Sequence, residues 1–216
     1  MGNAAETTII YYTHNRENPT FEARVRENIL LNCGGLPIIS VSHKPIDFGV
    51  NICVGEQPLA YSNVLKQTLI GLKAAKTEFC IAAEDDCLYP PEYFQFTPPT
   101  RDNTYRYTNL YVHFDGRRKF WKKRYVEAAQ MCGREFWIKR IEEVLKGHDS
   151  WEPIPVNPPY VFTTGDEYSW TGPDPVIYFK TRKSFKFKTG IILDLGGVRE
   201  IPYWGTEESV YEKYLR

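Results

Sequence analysis

The chain has 216 residues, of which 42% are hydrophobic and 25% charged, and its formal net charge at pH 7 is zero. These values are typical of one globular domain with a sizeable core, and they exclude a disordered chain. Because the charges balance, the overall field selects no class of partner, and any electrostatic signal must come from local clusters.

The N-terminal residues show no secretory pattern, and no apolar run approaches the roughly 20 residues that span a bilayer. We therefore expect no membrane span. The five cysteines are an odd number without a CxxC pair, and four of them lie in apolar stretches. This usage favours reduced thiols in a cytoplasmic protein over a disulfide framework or a zinc site.

Three β-branched or aromatic stretches in the first 90 residues predict buried strands. They are Thr7–Thr13, residues 36–42 and residues 79–83. Two helical patterns lie between them, so the order predicts an α/β fold with a mostly parallel sheet. In such sheets ligands bind at the carboxyl ends of the strands. We therefore expect the polar residues 12–16, 42–44 and 84–86 to meet at one rim.

Apolar residues at helical spacing define the two helices between these strands. Asn18 is the expected N-cap of the first helix, and Gly34 its end. Ser62 or Asn63 is the expected N-cap of the second helix, which should end near Lys76.

From residue 97 onward the pattern changes. Residues 105–113 alternate and predict one strand, and residues 133–145 predict a helix. After Trp151 the chain is rich in Pro, Gly and aromatic residues, which we interpret as an ordered loop layer over the site. Residues 1–216 are thus expected to form a single domain.

Three acidic side chains, Glu84, Asp85 and Asp86, follow the third predicted strand directly. Adjacent carboxylates repel each other, so a positive partner is expected there. Mg²⁺ and Mn²⁺ prefer carboxylate oxygens and commonly bridge them to phosphates. In an extended segment Glu84 and Asp86 point the same way, and Asp85 points to the opposite face. The simpler alternative is a solvated turn, in which Asp is common.

Three successive stretches resemble the nucleotide-binding half of GT-A glycosyltransferases, particularly those of the family 2 type. They read TIIYYTHNR, SVSHKPIDFG and SNVLKQTLIGLKAAKTEFCIAAEDDCLYPPEYF. In that family the third strand ends in an Asp-x-Asp-like motif. Here the corresponding pair is Glu84 and Asp86, with Glu at the first position.

The resemblance implies a GT-A-like, Rossmann-like fold, with a nucleotide-sugar-binding half (1–96) and an acceptor-binding half (97–216). It implies a UDP- or GDP-linked sugar as donor. It also implies that Glu84 and Asp86 hold Mn²⁺ or Mg²⁺ against the diphosphate, where the ion acts as a Lewis acid. The donor-binding residues carried over are Tyr12, Thr13, Asn15, Ser42, Lys44, Lys66 and Gln67.

An inverting transferase also needs a general base within reach of the acceptor hydroxyl. In the resembling family this base comes from a helix start beyond the acidic motif, which points to Glu135, and Asp85 is the second predicted catalytic residue. The alternative for Glu135 is an exposed first-turn acid beside the helix dipole. His148 and Asp149 could add a third metal contact, although an ordinary surface loop is the commoner interpretation.

Two basic stretches contain aromatic residues. The first, RRKFWKKR from Arg117 to Arg124, has six basic residues in eight, and the second is KTRKSFKFK at residues 180–188. Such stretches can bind phosphates and stack on bases, although charge runs are usually solvated faces. The acceptor is therefore expected to be a saccharide or a hydroxymethylated base in DNA.

Taken together, the sequence predicts a metal-dependent, inverting glycosyltransferase, with two alternatives. A nucleotidyltransferase could use the same sheet and paired acids but needs a glycine-rich, basic loop after the first strand, and YYTHNREN has no glycine. A non-catalytic nucleic-acid-binding module would keep its function after Asp86→Ala. The sequence does not predict the oligomeric state.

Overall fold

The fold was analysed in a computed structural model, which describes residues 6–124, 126–155, 167–181, 183 and 196–216. In chain order its elements are β1 (Thr7–Thr13), α1 (Pro19–Asn32), β2 (Ile38–Ser42), β3 (Val50–Cys53), α2 (Tyr61–Ala74), β4 (Phe79–Glu84), β5 (Cys87–Leu88), α3 (Pro91–Phe94), β6 (Thr104–Tyr107), β7 (Leu110–Phe114), β8 (Phe120–Lys123), β9 (Gln130–Gly133), α4 (Arg134–Leu145), β10 (Glu167–Trp170), β11 (Val176–Lys180), β12 (Glu200–Ile201), β13 (Gly205–Thr206) and α5 (Glu207–Val210), followed by a π-helical turn at Tyr211–Leu215.

The central sheet has the strand order β10-β6-β9-β4-β1-β2-β3. Its neighbouring strands are parallel except for β9, which runs antiparallel to both β4 and β6. All seven residues of β1 are buried, as expected for a parallel strand with both faces covered. The predicted fold class, a mostly parallel sheet flanked by helices, is confirmed. Strands from both halves of the chain join this one sheet.

Helices cover both faces of the sheet. On one face α1 buries Phe21, Val25 and Ile29, which stand four residues apart on one side of the helix. The other face is covered by α2 and α4. Their buried side chains are Leu65, Leu72, Trp137, Ile141 and Leu145.

The start of α1 confirms the predicted cap, because the Asn18 side chain accepts a hydrogen bond from the backbone N–H of Thr20 at 2.9 Å. The predicted caps of α2 are wrong, since this helix begins at Tyr61 and has no side-chain cap at Ala60. Asn63 instead donates through Nδ2 to the carbonyls of Pro58 and Trp151, both at 2.8 Å.

A second sheet, of order β5-β11-β7-β8, was not predicted. The single strand predicted over 105–113 is divided into β6 and β7, which belong to different sheets. The break falls at Thr108 and Asn109, where the Thr108 N–H donates to the Trp170 carbonyl at 3.0 Å. β10 and β11 lie in the region predicted as a loop layer. Residues 156–166, 182 and 184–195 of that region lie outside the described residues.

Within the described ranges, no helix combines the length and the apolar character needed to cross a bilayer. All five cysteines are free thiols, and only Cys53 is exposed.

Gly71 of α2 lies close against β1 and β2. A Cβ atom there would lie 2.7 Å from Ile10 Cγ2 and 3.4 Å from Val41 Cγ2. Replacing a helical glycine with alanine usually stabilises a protein by up to about 1 kcal/mol. Here we expect Gly71→Ala to lower the free energy of unfolding by about 1–3 kcal/mol, because the added methyl group overpacks the core. Urea unfolding measures this change, and a stabilised variant would contradict the packing described.

Candidate functional site

The parallel strands β1, β2 and β4 bring three polar segments to one rim. Tyr12 lies beside Glu84 in the ladder between β1 and β4, and Thr13 lies beside Ser42 in the ladder between β1 and β2. The convergence expected from the sequence is therefore present in the fold.

The acids at the end of β4 face two sides. The Tyr12 hydroxyl donates to Glu84 Oε1 at 2.5 Å, and the Thr13 hydroxyl donates to Asp85 Oδ2 at 2.5 Å. The carboxylates of Glu84 and Asp86 lie close together, and Asp85 is bound instead by Thr13. Residues 85 and 86 form a turn after β4 and not an extended segment, so the turn, and not strand alternation, brings Glu84 and Asp86 together. Tyr12 and Thr13, predicted as donor-binding residues, thus contact the acidic residues directly.

The donor atoms of Glu84, Asp86 and Cys87 lie within 4.8 Å of one another. Burial raises the pKa of the Cys87 thiol well above its ordinary value, so the thiol stays protonated and is a poor metal ligand. Two neighbouring carboxylates remain, and they are the ligand type that Mg²⁺ and Mn²⁺ prefer. The donor set therefore fits a hard divalent cation.

Burial is the main influence on the charge of these acids. It raises the pKa of Glu84 and of Asp85 to about 7, against the hydrogen bonds from Tyr12 and Thr13. Burial and the negative charge of Glu84 raise the pKa of Asp86 well above its ordinary value. A cation bound between Glu84 and Asp86 would favour their ionised forms.

A cleft of about 530 Å³ lies at the ends of β1 and β2. The residues that line it are His14, Asn15, Arg16, His43, Lys44, Glu56, Gln57 and Lys183. Two of the predicted donor-binding residues, Asn15 and Lys44, are among them. Asn15 Oδ1 accepts a hydrogen bond from the Lys44 N–H at 2.8 Å, which ties the two strand ends together.

Two histidines in this cleft, His14 and His43, fall in the predicted rim segments 12–16 and 42–44 but were not among the predicted binding residues. His43 is 6% exposed, and neither its Nε2 nor Nδ1 of His14 has a hydrogen-bond partner among the described residues. Burial lowers the pKa of both imidazoles, so both are neutral at pH 7. The available signal was position, because His14 directly follows β1 and His43 directly follows β2.

Two other predicted residues support the rim from below. Gln67 of α2 donates through Nε2 to the carbonyls of Thr13 and Val41, at 2.9 and 3.1 Å. The Ser42 hydroxyl donates to the Lys44 carbonyl at 2.7 Å and so shapes the turn after β2.

The structure does not bring Lys66 to the rim. Its ammonium group donates to the Ser150 carbonyl and lies 5.8 Å from the centre of the Trp151 ring. Lys66 lines a separate cleft of about 430 Å³ between α2 and α4. His148 and Asp149 line the same cleft, so they do not join the acidic residues either. The cause is that α2 also packs against α4, and Lys66 lies on that side of the helix.

Glu135 is likewise not at the rim. β9 runs antiparallel to β4, and Gly133 pairs with Phe79, the first residue of β4. α4 therefore starts near the N-terminal end of β4, at the opposite end of that strand from Glu84. There the Glu135 carboxylate forms an exposed ion pair with Arg134. Sequence spacing could not reveal this, because it does not fix the direction of β9.

Glu127 lies at the rim, three residues before β9 begins. It was not among the residues predicted from the sequence. Its side chain is half-buried, and its negative charge acts to raise the pKa of Glu84. No sequence motif marks Glu127, because its position depends on the antiparallel pairing of β9 with β4.

The first basic stretch begins in the turn between β7 and β8 and continues along β8. Arg117 and Arg118 are exposed in that turn, whereas Lys123 is buried and faces the acidic residues. Of the second basic stretch, Lys180, Thr181 and Lys183 belong to the described residues.

No protein-family model and no curated protein matches the chain. Solved structures match its fold at low sequence identity, and they include nucleotidyltransferases and glycosyltransferases. The inositol-1-phosphate CTP transferase of T. maritima is 12% identical with a TM-score of 0.52, over 82% of this chain and 91% of that one. A glycosyltransferase involved in glycosylation of the PBCV-1 major capsid is 13% identical with a TM-score of 0.48, over 77% and 81%. S. aureus TarS in complex with UDP-GlcNAc is 11% identical with a TM-score of 0.46, over 90% and 62%. The likeness to the CTP transferase shows a shared α/β fold.

The buried acids generate a prediction about stability and pH. In metal-free protein Glu84 and Asp85 keep protons up to about pH 7 in the folded state, whereas unfolded carboxyls release them near pH 4. The folded state thus binds more protons in this window, and the free energy of unfolding should fall as pH rises from about 4 to about 7. Urea unfolding in EDTA checks the sign, and a rise would contradict it.

Replacing one buried acid with its neutral amide should raise the free energy of unfolding at fixed pH, for the same reason. We expect Asp86→Asn to be more stable than wild type in EDTA at pH 7.5, and to lose the stabilisation that Mn²⁺ gives to wild type. The control is Asp102→Asn, an exposed position where changes are usually within about 0.5 kcal/mol. A destabilised Asp86→Asn variant with an intact response to Mn²⁺ would contradict the site.

Proposed function

We propose that this chain is a divalent-cation-dependent, inverting glycosyltransferase that moves a sugar from a nucleotide-diphosphate donor to a hydroxyl acceptor. The observation that carries the proposal is the pair Glu84 and Asp86 at the carboxyl end of β4, beside a cleft at the ends of β1 and β2. The GT-A resemblance of residues 7–94 supports it.

The cleft suits the nucleotide part of a donor. Its volume of about 530 Å³ lies within the usual range of small-molecule sites. Arg16, Lys44 and Lys183 give it positive charge, and Glu56 is the one acid among its described lining residues. His43 is buried and its Nε2 has no hydrogen-bond partner among the described residues, so it can make a hydrogen bond to the ribose or base.

The diphosphate would lie between this cleft and the acids. Glu84 and Asp86 would hold Mn²⁺ or Mg²⁺, which supplies Lewis-acid stabilisation of the leaving group. The bond between the anomeric carbon and the diphosphate oxygen breaks, and its electron pair leaves with the nucleoside diphosphate. The acceptor oxygen bonds to the same carbon from the opposite side, and its proton passes to a carboxylate.

We propose Glu127 as that carboxylate. It lies at the acidic rim and is half-buried, so an acceptor can reach it. Asp85, predicted as catalytic, is proposed here as a positioning residue, because the Thr13 hydroxyl holds it on the other side of β4.

A nucleotidyltransferase remains the second candidate, since the T. maritima structure shares this fold. The connection from His14 to Asn18 between β1 and α1 has no glycine, which favours the glycosyltransferase. A saccharide acceptor is favoured over modified DNA, because the exposed Arg117 and the buried Lys123 do not form one continuous basic surface.

A donor screen tests the proposal. Wild type incubated with Mn²⁺ and UDP- or GDP-linked sugars should release UDP or GDP, first by slow hydrolysis and faster with a saccharide acceptor. The double variant Glu84→Gln, Asp86→Asn should lose this activity and the Mn²⁺-dependent thermal stabilisation by UDP or GDP. Pyrophosphate release from CTP or UTP without turnover of sugar nucleotides would instead identify a nucleotidyltransferase.

The proposed base can be tested separately from donor binding. Glu127→Gln should lower kcat by about 10²–10⁴-fold, because a general base typically contributes that much, while UDP affinity stays at the wild-type value. The matched control is Glu135→Gln, which should keep wild-type kcat because Glu135 lies at the opposite edge of the sheet. If Glu127→Gln kept wild-type kcat and Glu135→Gln lost it, Glu127 would not be the general base.

A further inference from the structure

The second sheet places a lysine beside the acidic residues. β11 runs antiparallel to β5 with Tyr178 opposite Cys87, and the Phe179 N–H donates to the Asp86 carbonyl at 2.8 Å. Lys180, the last residue of β11, is thereby held close to residues 84–86. Its position is fixed by backbone pairing and not by a flexible loop.

Two buried ammonium groups lie on this face of the second sheet. Lys180 is 4% exposed and Lys123 of β8 is 9% exposed. Their nitrogens lie 4.0 and 4.7 Å from the centre of the same Tyr178 ring. The Lys180 ammonium group also donates to the Tyr178 hydroxyl. Tyr178 thus holds both lysines at the face of the sheet that meets the end of β4.

The charge that balances these lysines comes from the rim. A buried ammonium group is costly unless negative charge lies near it. The positive charge of Lys180 acts on both Glu84 and Asp86, where it opposes the effect of burial on their pKa. Desolvation lowers the pKa of Lys123, and the negative charges of Glu127 and Glu84 act to raise it. The rim is therefore a site of mixed charge, with built-in cations facing the paired acids.

We propose that Lys180, held in place by Tyr178 and accompanied by Lys123, is the protein's own cation for the diphosphate of the donor. This inference rests on the proposed function and adds to it a residue of the second sheet. An ammonium group is a compact point charge with three donors, which suits phosphate oxygens. Lys180 can therefore bind the diphosphate beside a cation held by Glu84 and Asp86.

The chemistry of the leaving group explains why a second cation is useful. When the bond between the sugar and the diphosphate breaks, the diphosphate gains one negative charge. Glu84 and Asp86 already offset much of the charge of a divalent ion that they hold. A buried ammonium group adds positive charge at the same place without reorganisation, which is the condition for effective electrostatic stabilisation. Lys180 should therefore support diphosphate binding even when no divalent ion is present.

Isothermal titration of the full chain with UDP and with inorganic pyrophosphate tests this, each in EDTA and in Mn²⁺. Wild type should bind both probes in EDTA, more weakly than in Mn²⁺. Lys180→Gln should weaken binding in EDTA by about tenfold or more, the usual worth of a charged hydrogen bond, and by less in Mn²⁺. Lys180→Arg should retain most of the affinity, which shows that the charge matters.

Lys122→Gln is the matched control. Lys122 precedes Lys123 on β8 and also lies over a tyrosine, 4.8 Å from the Tyr111 ring centre, but its ammonium group donates to Asn109 Oδ1 at 2.7 Å. It should bind both probes like wild type. The melting temperature without ligand shows whether each variant is folded. If Lys180→Gln is not folded, the comparison of Lys180→Arg with wild type keeps the test decisive.

The outcomes separate this inference from the proposed function. If wild type binds UDP only with Mn²⁺, or if Lys180→Gln binds both probes in EDTA as wild type does, Lys180 is not a diphosphate ligand and the glycosyltransferase proposal stands. If wild type binds neither probe in either condition, the proposed function fails and this inference fails with it.

Discussion

The burial of carboxylates at the end of β4 is the constraint on which the rest of the site depends. Glu84, Asp85 and Asp86 stand where a buried strand leaves the core, and burial works against their negative charge. The fold offsets this cost only in part, through the hydroxyls of Tyr12 and Thr13 and the positive charge of Lys180. Protein sites that keep unfavourable charge together usually do so for function, because a ligand completes the charge balance. A divalent cation with a diphosphate is such a ligand.

The topology makes this arrangement possible. β4, β1 and β2 are adjacent and parallel, so their carboxyl ends supply the acids, the hydroxyls and the histidine-lined cleft along one edge. β9 returns in the opposite direction and brings Glu127 to the same edge, while the second sheet adds Lys180 through its pairing with β5. Residues that are far apart in sequence thus meet because of strand direction, and the site needs both halves of the chain.

Local sequence signals predicted β1, α1, β2, α2 and β4 of the first half, although not the short strand β3 or the start of α2. The bounds of β1 and the Asn18 cap of α1 follow from side-chain chemistry within a few residues. The failures are non-local. The pairing of β11 with β5 and the reversed direction of β9 join segments that no local pattern connects. These pairings determine that Glu135 lies at the far edge, and that Lys180 and Glu127 lie at the rim.

The central claim is that Glu84 and Asp86 bind a cation that in turn binds the donor diphosphate. The most direct test is a crystal grown with Mn²⁺ and UDP, measured at a wavelength where manganese scatters anomalously. The account predicts one strong anomalous peak between the Glu84 and Asp86 carboxylates, in contact with the UDP diphosphate. A peak elsewhere, or bound UDP beside acids that contact no manganese, would contradict it.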